Sequence, residues 1–184
     1  MAVHSEIRNS SGTDADETGE IVELRDGTRA LIRPIRPSDR MRLNEGFESA
    51  STWSIFMRFL SPQPHLSERQ LDYLTAVDHI RHEAVIAVDP STGQSFGTAR
   101  YVRSDEQPDT AEFAVGVGDR WMRLGLGTAL LTALAERARQ VGIVRLTGLI
   151  HPDNVAIQRL IAKVAGQHET RPAGEGALEV IVEL

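Results

Sequence analysis

Two glycines separated by one residue stand directly before a segment with helical spacing of apolar residues, in the stretch DRWMRLGLGTALLTALAER, residues 119–137. Because Gly125 and Gly127 lack side chains, the backbone N–H groups around them can approach a ligand closely. A helix beginning here adds unpaired amides and the positive end of its dipole, and Arg123 adds a full positive charge. The spacing indicates a site for an anion such as a phosphate, with a plain tight turn between strand and helix as the alternative.

The two best-known phosphate loops do not match this turn. A dinucleotide fingerprint needs a third glycine, but Leu130 occupies that position. A P-loop needs Gly-Lys-Ser/Thr, which does not follow Gly127. The turn is therefore predicted to bind its anion in a fold that contains neither a dinucleotide-binding fingerprint nor a P-loop.

Metal and thiol chemistry have little support in the residue pattern. The sequence has no cysteine, which excludes disulfides, thiolate ligands and a cysteine nucleophile, and which fits a reducing compartment. His79 and His82 are three residues apart near a predicted helix end, but no further ligand can be identified beside them. We expect no metal site.

The first third of the chain is predicted to form a hairpin followed by three helices. Asp26-Gly27 is a favoured hairpin turn between β-type runs at 21–24 and 29–35. Helical spacing follows from Pro37 through about Ala50, over 52–60, and from a cap at Ser67 through an apolar face that includes Val77. The aromatic residues of the second helix are predicted to be core: Trp53, Phe56 and Phe59.

The pattern changes to strands after residue 83. Runs of β-type residues at 84–88, 96–103 and 111–117 are joined by short turns and predict an antiparallel meander. A helix over about 128–141, a strand at 143–150, a helix opened by Asp153 or Asn154, and a last strand in ALEVIVEL complete the chain. The order predicts an α+β fold, a mixed sheet with helices on its faces.

Length and charge limit the class of protein further. A chain of 184 residues with 41% apolar content is long enough for one domain, which we place at 21–184. Residues 1–20 are polar and are predicted to be a disordered tail. A net charge of −6 argues against nucleic-acid binding, and no segment is apolar enough to cross a membrane, so we expect a soluble, cytoplasmic protein.

Several of these residues together resemble the acetyl-CoA site of GNAT-type N-acetyltransferases. They include Val115-Gly116-Val117, Asp119, Trp121, the turn from Arg123 to Thr128, Leu130-Leu131 and Asn154. The segments LRDGTRALIRPIRPSD, FMRFLSP, LSERQLDYLTAVDH and AEFAVGV are similar to Pat-type bacterial protein lysine acetyltransferases within that superfamily. The resemblance covers about residues 21–184 and implies a GNAT-like, mostly antiparallel central sheet with helices on both faces.

The resemblance also implies a set of cofactor contacts, with acetyl-CoA as the cosubstrate. Val115, Gly116 and Val117 would pair with the pantetheine amides, and Asn154 would contact the pantetheine arm. The pyrophosphate would lie on the turn formed by Arg123, Leu124, Gly125, Leu126, Gly127 and Thr128.

Two positions depart from the family pattern. The motif usually begins with Gln or Arg, whereas this chain has Met122 there and an arginine one residue later. Many members carry a tyrosine that protonates the leaving thiolate, and Ile161 occupies its position. Either a water serves as the acid or the thiolate leaves unassisted, which its pKa of about 8.5 permits.

Glu112 is the candidate general base. A lysine amine with a pKa near 10.4 is neutral in only about one molecule in a few thousand at pH 7, so a base near the reacting carbon is valuable. Glu112 matches the glutamate that resembles the catalytic base of Pat-type enzymes, and apolar neighbours are expected to bury it partly and raise its pKa. The alternative is a surface carboxylate paired with Arg100 or Arg103 across the strands.

Three functions are compatible with the sequence. The first is transfer of acetyl from acetyl-CoA to a protein lysine, with an acyl-CoA synthetase as the kind of partner that the resemblance implies. The second is acetylation of a small amine or amino acid. The third is a non-catalytic acyl-CoA-binding sensor module, which the residues at Met122 and Ile161 leave open.

Overall fold

A computed structural model describes residues 18–165 and 167–184. Eight strands are present in this part of the chain: β1 Glu20–Glu23, β2 Arg29–Pro34, β3 His82–Val88, β4 Ser95–Arg103, β5 Thr110–Val117, β6 Arg145–Ile150, β7 Gln167–Pro172 and β8 Leu178–Glu183. Five helices accompany them: α1 Arg40–Glu48, α2 Thr52–Phe59, α3 Glu68–Thr75, α4 Leu126–Gln140 and α5 Val155–Val164. Short 3₁₀ turns occupy Pro37–Asp39 and Asp119–Trp121. The predicted tail falls mainly on residues 1–17, which lie outside the described residues, while Glu20 already begins β1.

The strands form one sheet in the order β1-β2-β3-β4-β5-β6-β8-β7. Every neighbouring pair is antiparallel except β5 and β6, which run parallel. Residues 110–112 of β5 pair with residues 145–147 of β6, and the pairing ends there although β5 continues to Val117. The second half of β5 therefore diverges from β6 and opens a gap in the sheet.

The helices lie on both faces of this sheet, as predicted. α4 packs against β3, β4 and β5 with a buried stripe that ends at Ala138. Successive residues of β4 point to opposite faces, so Tyr101 joins the core under α4 while Arg100 reaches the backbone of α3 on the other side. The fold is the predicted α+β arrangement with a mostly antiparallel sheet.

Local chemistry explains where several elements begin and end. The hairpin turn has Gly27 at φ 84°, a conformation that favours glycine. The Ser67 side chain accepts a hydrogen bond from the Gln70 N–H, and the Gln70 side chain accepts one from the Ser67 N–H, so α3 begins with a capping box.

Three expectations about the elements need correction. α3 ends at Thr75, so Val77 is not part of its apolar face; the Asp78 carboxylate instead accepts backbone N–H groups of residues 80–82 and organises a loop. α4 starts two residues earlier than expected, at Leu126. The strand β7 was not predicted, because all six of its residues are exposed and its sequence shows no alternation.

Within the described residues, no helix is both long enough and apolar enough to cross a membrane.

Candidate active site

A groove of about 840 Å³ lies at the gap between β5 and β6. Its wall on β5 is formed by Val115, Gly116 and Val117, and its wall on the helical side by the turn before α4 and the start of α5. Eight of the ten predicted cofactor residues line this groove: Val115, Gly116, Val117, Arg123, Gly125, Gly127, Thr128 and Asn154. The other two, Leu124 and Leu126, pack their side chains against or within the core, so any contact from them has to come from the backbone.

The turn before α4 presents backbone N–H groups to the groove. Arg123 and Gly125 both have positive φ, 62° and 99°, so the chain reverses sharply before the helix. The amides of residues 126–128 open α4 and have no backbone acceptor among the described residues. A turn of this kind, at the positive end of a fifteen-residue helix, is suited to a phosphate.

The loop between β1 and β2 supports this turn from outside. The Arg25 N–H donates to the Leu124 carbonyl at 3.1 Å, and the Arg25 guanidinium donates to the Arg123 carbonyl at 3.3 Å. Arg25 itself lines the groove. Sequence spacing gives no sign of this role, because Arg25 lies about 100 positions from the turn that it holds.

Two further cations line the same end of the groove. Arg159 and Lys163 are four residues apart on α5 and therefore share one helical face. With Arg25 and Arg123 they provide four positive charges near the turn, which fits the pyrophosphate and ribose phosphate of coenzyme A. Their spacing was visible in the sequence, but only the packing of α5 beside α4 shows which side of the helix faces the groove.

Gly127 and Asn154 each have a structural role besides the predicted one. A Cβ on Gly127 would lie 3.3 Å from Cδ2 of Leu160, so this glycine also permits the close packing of α4 on α5. The Asn154 side chain accepts a hydrogen bond from the Ile157 N–H at 3.1 Å and caps α5. The cofactor contacts predicted for both residues remain predictions.

Asp119 connects α2 to the same turn. Its carboxylate accepts a hydrogen bond from the Ser51 N–H at 2.7 Å and another from the Ser54 hydroxyl. Burial opposes ionisation of Asp119, but these hydrogen bonds outweigh it and hold its pKa below the usual value. The neighbouring Trp121 stacks on Phe96 with ring centroids 4.3 Å apart, so the segment leading into the turn is fixed on both sides.

Glu112 lies where β5 and β6 separate, because its pairing with Thr147 is the last between these strands. The expected partial burial is wrong: the side chain is exposed, and Glu112 does not belong to the groove lining. Among the described residues it makes no ion pair with Arg100 or Arg103, whose guanidinium groups donate to the carbonyls of Leu74 and Val141. Glu112 does interact electrostatically with the positive charge of Arg58.

The other positions singled out in the sequence lie in different environments. Ile161 is 1% exposed and belongs to the core, so its side chain offers nothing to the groove. Met122 lines the groove and is 38% exposed. The prediction that Trp53 is core is wrong, since it is 58% exposed at the groove edge, where it and Phe56 pack against His151.

The two histidines considered as metal ligands bind protein groups instead. His79 Nδ1 lies 2.7 Å from a carboxylate oxygen of Glu83, and His82 Nε2 lies 3.2 Å from an Arg100 guanidinium nitrogen. In residues 18–165 and 167–184, no three His, Cys, Asp or Glu side chains are placed to hold a metal ion.

A splayed strand beside an amide-rich turn, on a mixed sheet of this order, defines the class of acetyl-CoA-dependent acyltransferases. A model of the acetyltransferase (GNAT) domain matches residues 29–167, and the chain belongs to that family. Its cosubstrate is accordingly acetyl-CoA.

Three relatives show how far the similarity extends. The chain is 29% identical over 143 residues to acetyltransferase Pat of Mycolicibacterium smegmatis. This match covers 78% of this chain but only 43% of the length of that protein. It is 29% identical over 162 residues to acetyltransferase PA5475 of Pseudomonas aeruginosa, covering 85% of this chain and 87% of that one. The crystal structure of the GNAT domain of S. lividans PAT superposes with a TM-score of 0.83 at 28% identity, over 90% of this chain and 97% of that domain.

Proposed function

We propose that this chain transfers the acetyl group of acetyl-CoA to the side-chain amine of a lysine on another protein. The observation that carries the proposal is the groove at the strand gap, which combines the amide-rich turn with an open edge at the exposed Trp53. The similarity to the GNAT domain of S. lividans PAT supports it. An acyl-CoA synthetase is the kind of protein substrate that we would test first, and the cytoplasm is the location that we propose.

Different groove residues would bind the phosphates and align the pantetheine arm of acetyl-CoA. When bound, acetyl-CoA supplies a thioester carbonyl that a neutral amine can attack. The amides before α4 and the cations of α5 would hold the phosphates, and the β5 segment from Val115 to Val117 would align the pantetheine arm. Because the second half of β5 has no partner on the β6 side, its backbone groups there are available for such pairing.

Glu112 is our proposed general base. It would accept the proton that the acceptor ammonium loses before attack. Its exposed carboxylate at the point where the strands separate can act directly or through one water. The buried Ile161 cannot donate a proton, so the departing thiolate would be protonated by solvent.

Labelling distinguishes this function from the alternatives. The purified protein would be incubated with radiolabelled acetyl-CoA and either a purified acyl-CoA synthetase, a lysate, or free amines and amino acids. A labelled protein band whose acetyl group maps to a lysine supports the proposal. Label only in a small amine would establish the small-acceptor function instead, and binding of acetyl-CoA without any transfer would establish a sensor module.

A further inference from the structure

Two further arginines line the groove beside β5. Arg100 on β4 pairs with Ala114 on β5, and Arg58 belongs to α2. The same lining includes Leu43 of α1, Leu74 of α3, and Leu66 from the loop before α3. Neither arginine is among the four cations described above near the turn, so these two guanidinium groups need another explanation.

Arg100 is held in a fixed orientation. It is 6% exposed, and its guanidinium donates to the Leu74 carbonyl at 3.1 Å and lies 3.2 Å from His82 Nε2. Burial lowers the pKa of His82 to about 4, so at neutral pH its ring is uncharged and accepts from Arg100. These two contacts use only part of the five-donor guanidinium of Arg100, which is itself a lining residue of the groove.

Arg58 is held by packing rather than by hydrogen bonds. Its Cδ lies 3.8 Å from the position of a Cβ built on Gly116, so its aliphatic chain crosses the β5 strand beside the predicted pantetheine site. Its guanidinium lies 5.0 Å from the centre of the Phe59 ring, within the range of a cation–π contact. No hydrogen bond from Arg58 occurs within residues 18–165 and 167–184, so its donors are available.

The charges of these two arginines are only partly offset by protein carboxylates, because Glu112, outside the groove lining, attracts Arg58 without forming an ion pair with it. Asp119 is the acidic residue of the lining, and its carboxylate already accepts hydrogen bonds from Ser51 and Ser54. Across the described residues, no carboxylate oxygen lies within 4.0 Å of Arg58 or Arg100. Burial and the positive charge of Arg58 together lower the pKa of Arg100 to about 9, so the two guanidinium groups repel each other while both stay cationic at neutral pH.

Neither a neutral acetyl group nor a lysine ammonium explains such a pair. The acetyl group carries no charge, and an ammonium would be repelled. A carboxylate would accept charge-assisted hydrogen bonds from one or both guanidinium groups and would relieve their mutual repulsion. It would also offset the positive potential that an approaching ammonium meets.

We propose that Arg58 and Arg100 form a binding site for a carboxylate carried by one of the two substrates. The carboxylate belongs either to the acceptor, next to the reacting amine, or to the far end of a dicarboxylic acyl group on coenzyme A. The inference rests on the proposed acyltransferase function and narrows its substrate class.

Matched substrate pairs test the proposal on the wild-type protein. The acceptor arm compares the blocked dipeptides N-acetyl-Asp-Lys-amide and N-acetyl-Asn-Lys-amide, and free L-lysine with lysinamide, at fixed acetyl-CoA. The acyl arm compares succinyl-CoA with butyryl-CoA by calorimetric affinity, which does not depend on turnover. A carboxylate bound by a guanidinium group should raise kcat/KM or affinity about 10- to 100-fold in one arm.

Variants then assign the preference to the two arginines. Arg58→Gln and Arg100→Gln should each reduce that preference to less than about threefold, and Arg58→Lys should retain part of it because the charge remains. Arg69→Gln, on the exposed face of α3, is the matched control and should keep the full preference. Affinity for acetyl-CoA should stay within about twofold in all four, which also reports that they are folded.

The outcomes separate this inference from the proposed function. If acetyl transfer occurs and neither arm shows a preference for the carboxylate, the inference is overturned and the proposed function stands. An acceptor-arm preference that survives in both Gln variants also overturns it. If acetyl-CoA does not bind at all, the proposed function is contradicted. In that case a preference for succinyl-CoA over butyryl-CoA that is lost in the Gln variants would still support the carboxylate site.

Discussion

At the scale of single residues, the proposed active site combines an exposed carboxylate beside the groove with a buried guanidinium in the groove lining. Glu112 is exposed at the strand junction, whereas Arg100 is buried and oriented by His82. An exposed carboxylate can exchange protons with solvent between turnovers, which is useful for a base. A buried guanidinium with fixed partners loses little side-chain entropy when it binds a ligand, which is useful for recognition.

The first residue-scale prediction concerns Glu112. Glu112→Gln should lower kcat by roughly 10²- to 10⁴-fold while acetyl-CoA affinity stays nearly intact, because a base acts in the chemical step. Activity of the variant should recover as the free amine becomes abundant near pH 10. Steady-state kinetics over pH and calorimetry measure both. Glu106→Gln, an exposed carboxylate in the loop before β5, serves as control, and equal kcat in the two variants would remove Glu112 from the mechanism.

The second residue-scale prediction concerns the effect of His82 on the pH dependence of the free energy of unfolding. In the unfolded chain His82 takes up a proton near pH 6.5, but in the folded chain, with its pKa lowered by burial and by Arg100, it does so only near pH 4. The unfolded state therefore binds more protons in this window, and the free energy of unfolding should fall as the pH is lowered from about 6.5 to 4.

Urea unfolding at a series of pH values measures this effect. His82→Gln should reduce the pH slope of the unfolding free energy in that window by up to roughly one proton. His65→Gln replaces an exposed histidine and should leave the slope unchanged. A His82 variant with the wild-type slope would show that another group titrates there.

At the scale of elements, the site depends on how α4, α5 and β5 meet. Gly127 stands in the first turn of α4, facing both Leu160 of α5 and Val117 of β5. The same lack of a side chain therefore allows helix packing and leaves the first amides of α4 open. These two roles can be separated by changing the neighbour as well as the glycine.

A double variant distinguishes the role of Gly127 in helix packing from its role in leaving the amides open. Gly127→Val should weaken acetyl-CoA binding by about tenfold or more, because a branched side chain obstructs the amides, and it should also lower stability through the contact with Leu160. Adding Leu160→Ala should recover part of the thermal stability without recovering the affinity. Affinity that returns together with stability would instead assign Gly127 to packing alone. Thermal melts and calorimetry provide the two readouts.

At the scale of the whole molecule, an acidic protein carries a basic groove. The net charge is −6, yet six cations line the groove: Arg25, Arg58, Arg100, Arg123, Arg159 and Lys163. We expect this separation of charge to draw anions to the groove, with the coenzyme A phosphates at Arg25, Arg123, Arg159 and Lys163 and the proposed carboxylate at Arg58 and Arg100.

Salt dependence tests this distribution. Raising NaCl from about 0.05 to 0.5 M should weaken acetyl-CoA binding, because screening shortens the range of the groove potential. The double variant Arg159→Gln/Lys163→Gln should bind more weakly at low salt and respond less to added salt. Arg139→Gln, an exposed cation near the other end of α4, should behave as wild type. The same salt response in both variants would place the phosphates away from α5.

The sequence by itself determined the parts of this protein that depend on short spacing. These parts follow from local backbone and side-chain chemistry: the turn at Gly125 and Gly127, the hairpin at Gly27, the caps at Ser67 and Asn154, and the runs of β-type residues that form β3 to β5. Because the glycine turn lies next to the β5 segment in the chain, most of the predicted cofactor wall could be named before the fold was known.

Only the tertiary structure decided which distant residues meet. Arg25, Arg58, Arg100 and Arg159 come from four separate elements or loops, and their convergence on one groove depends on the sheet order and on the loss of pairing between β5 and β6 after Glu112. The exposure of Glu112 and Trp53 was mispredicted for the same reason. Burial is a property of what packs against a residue, and residue type and local period do not specify that neighbour.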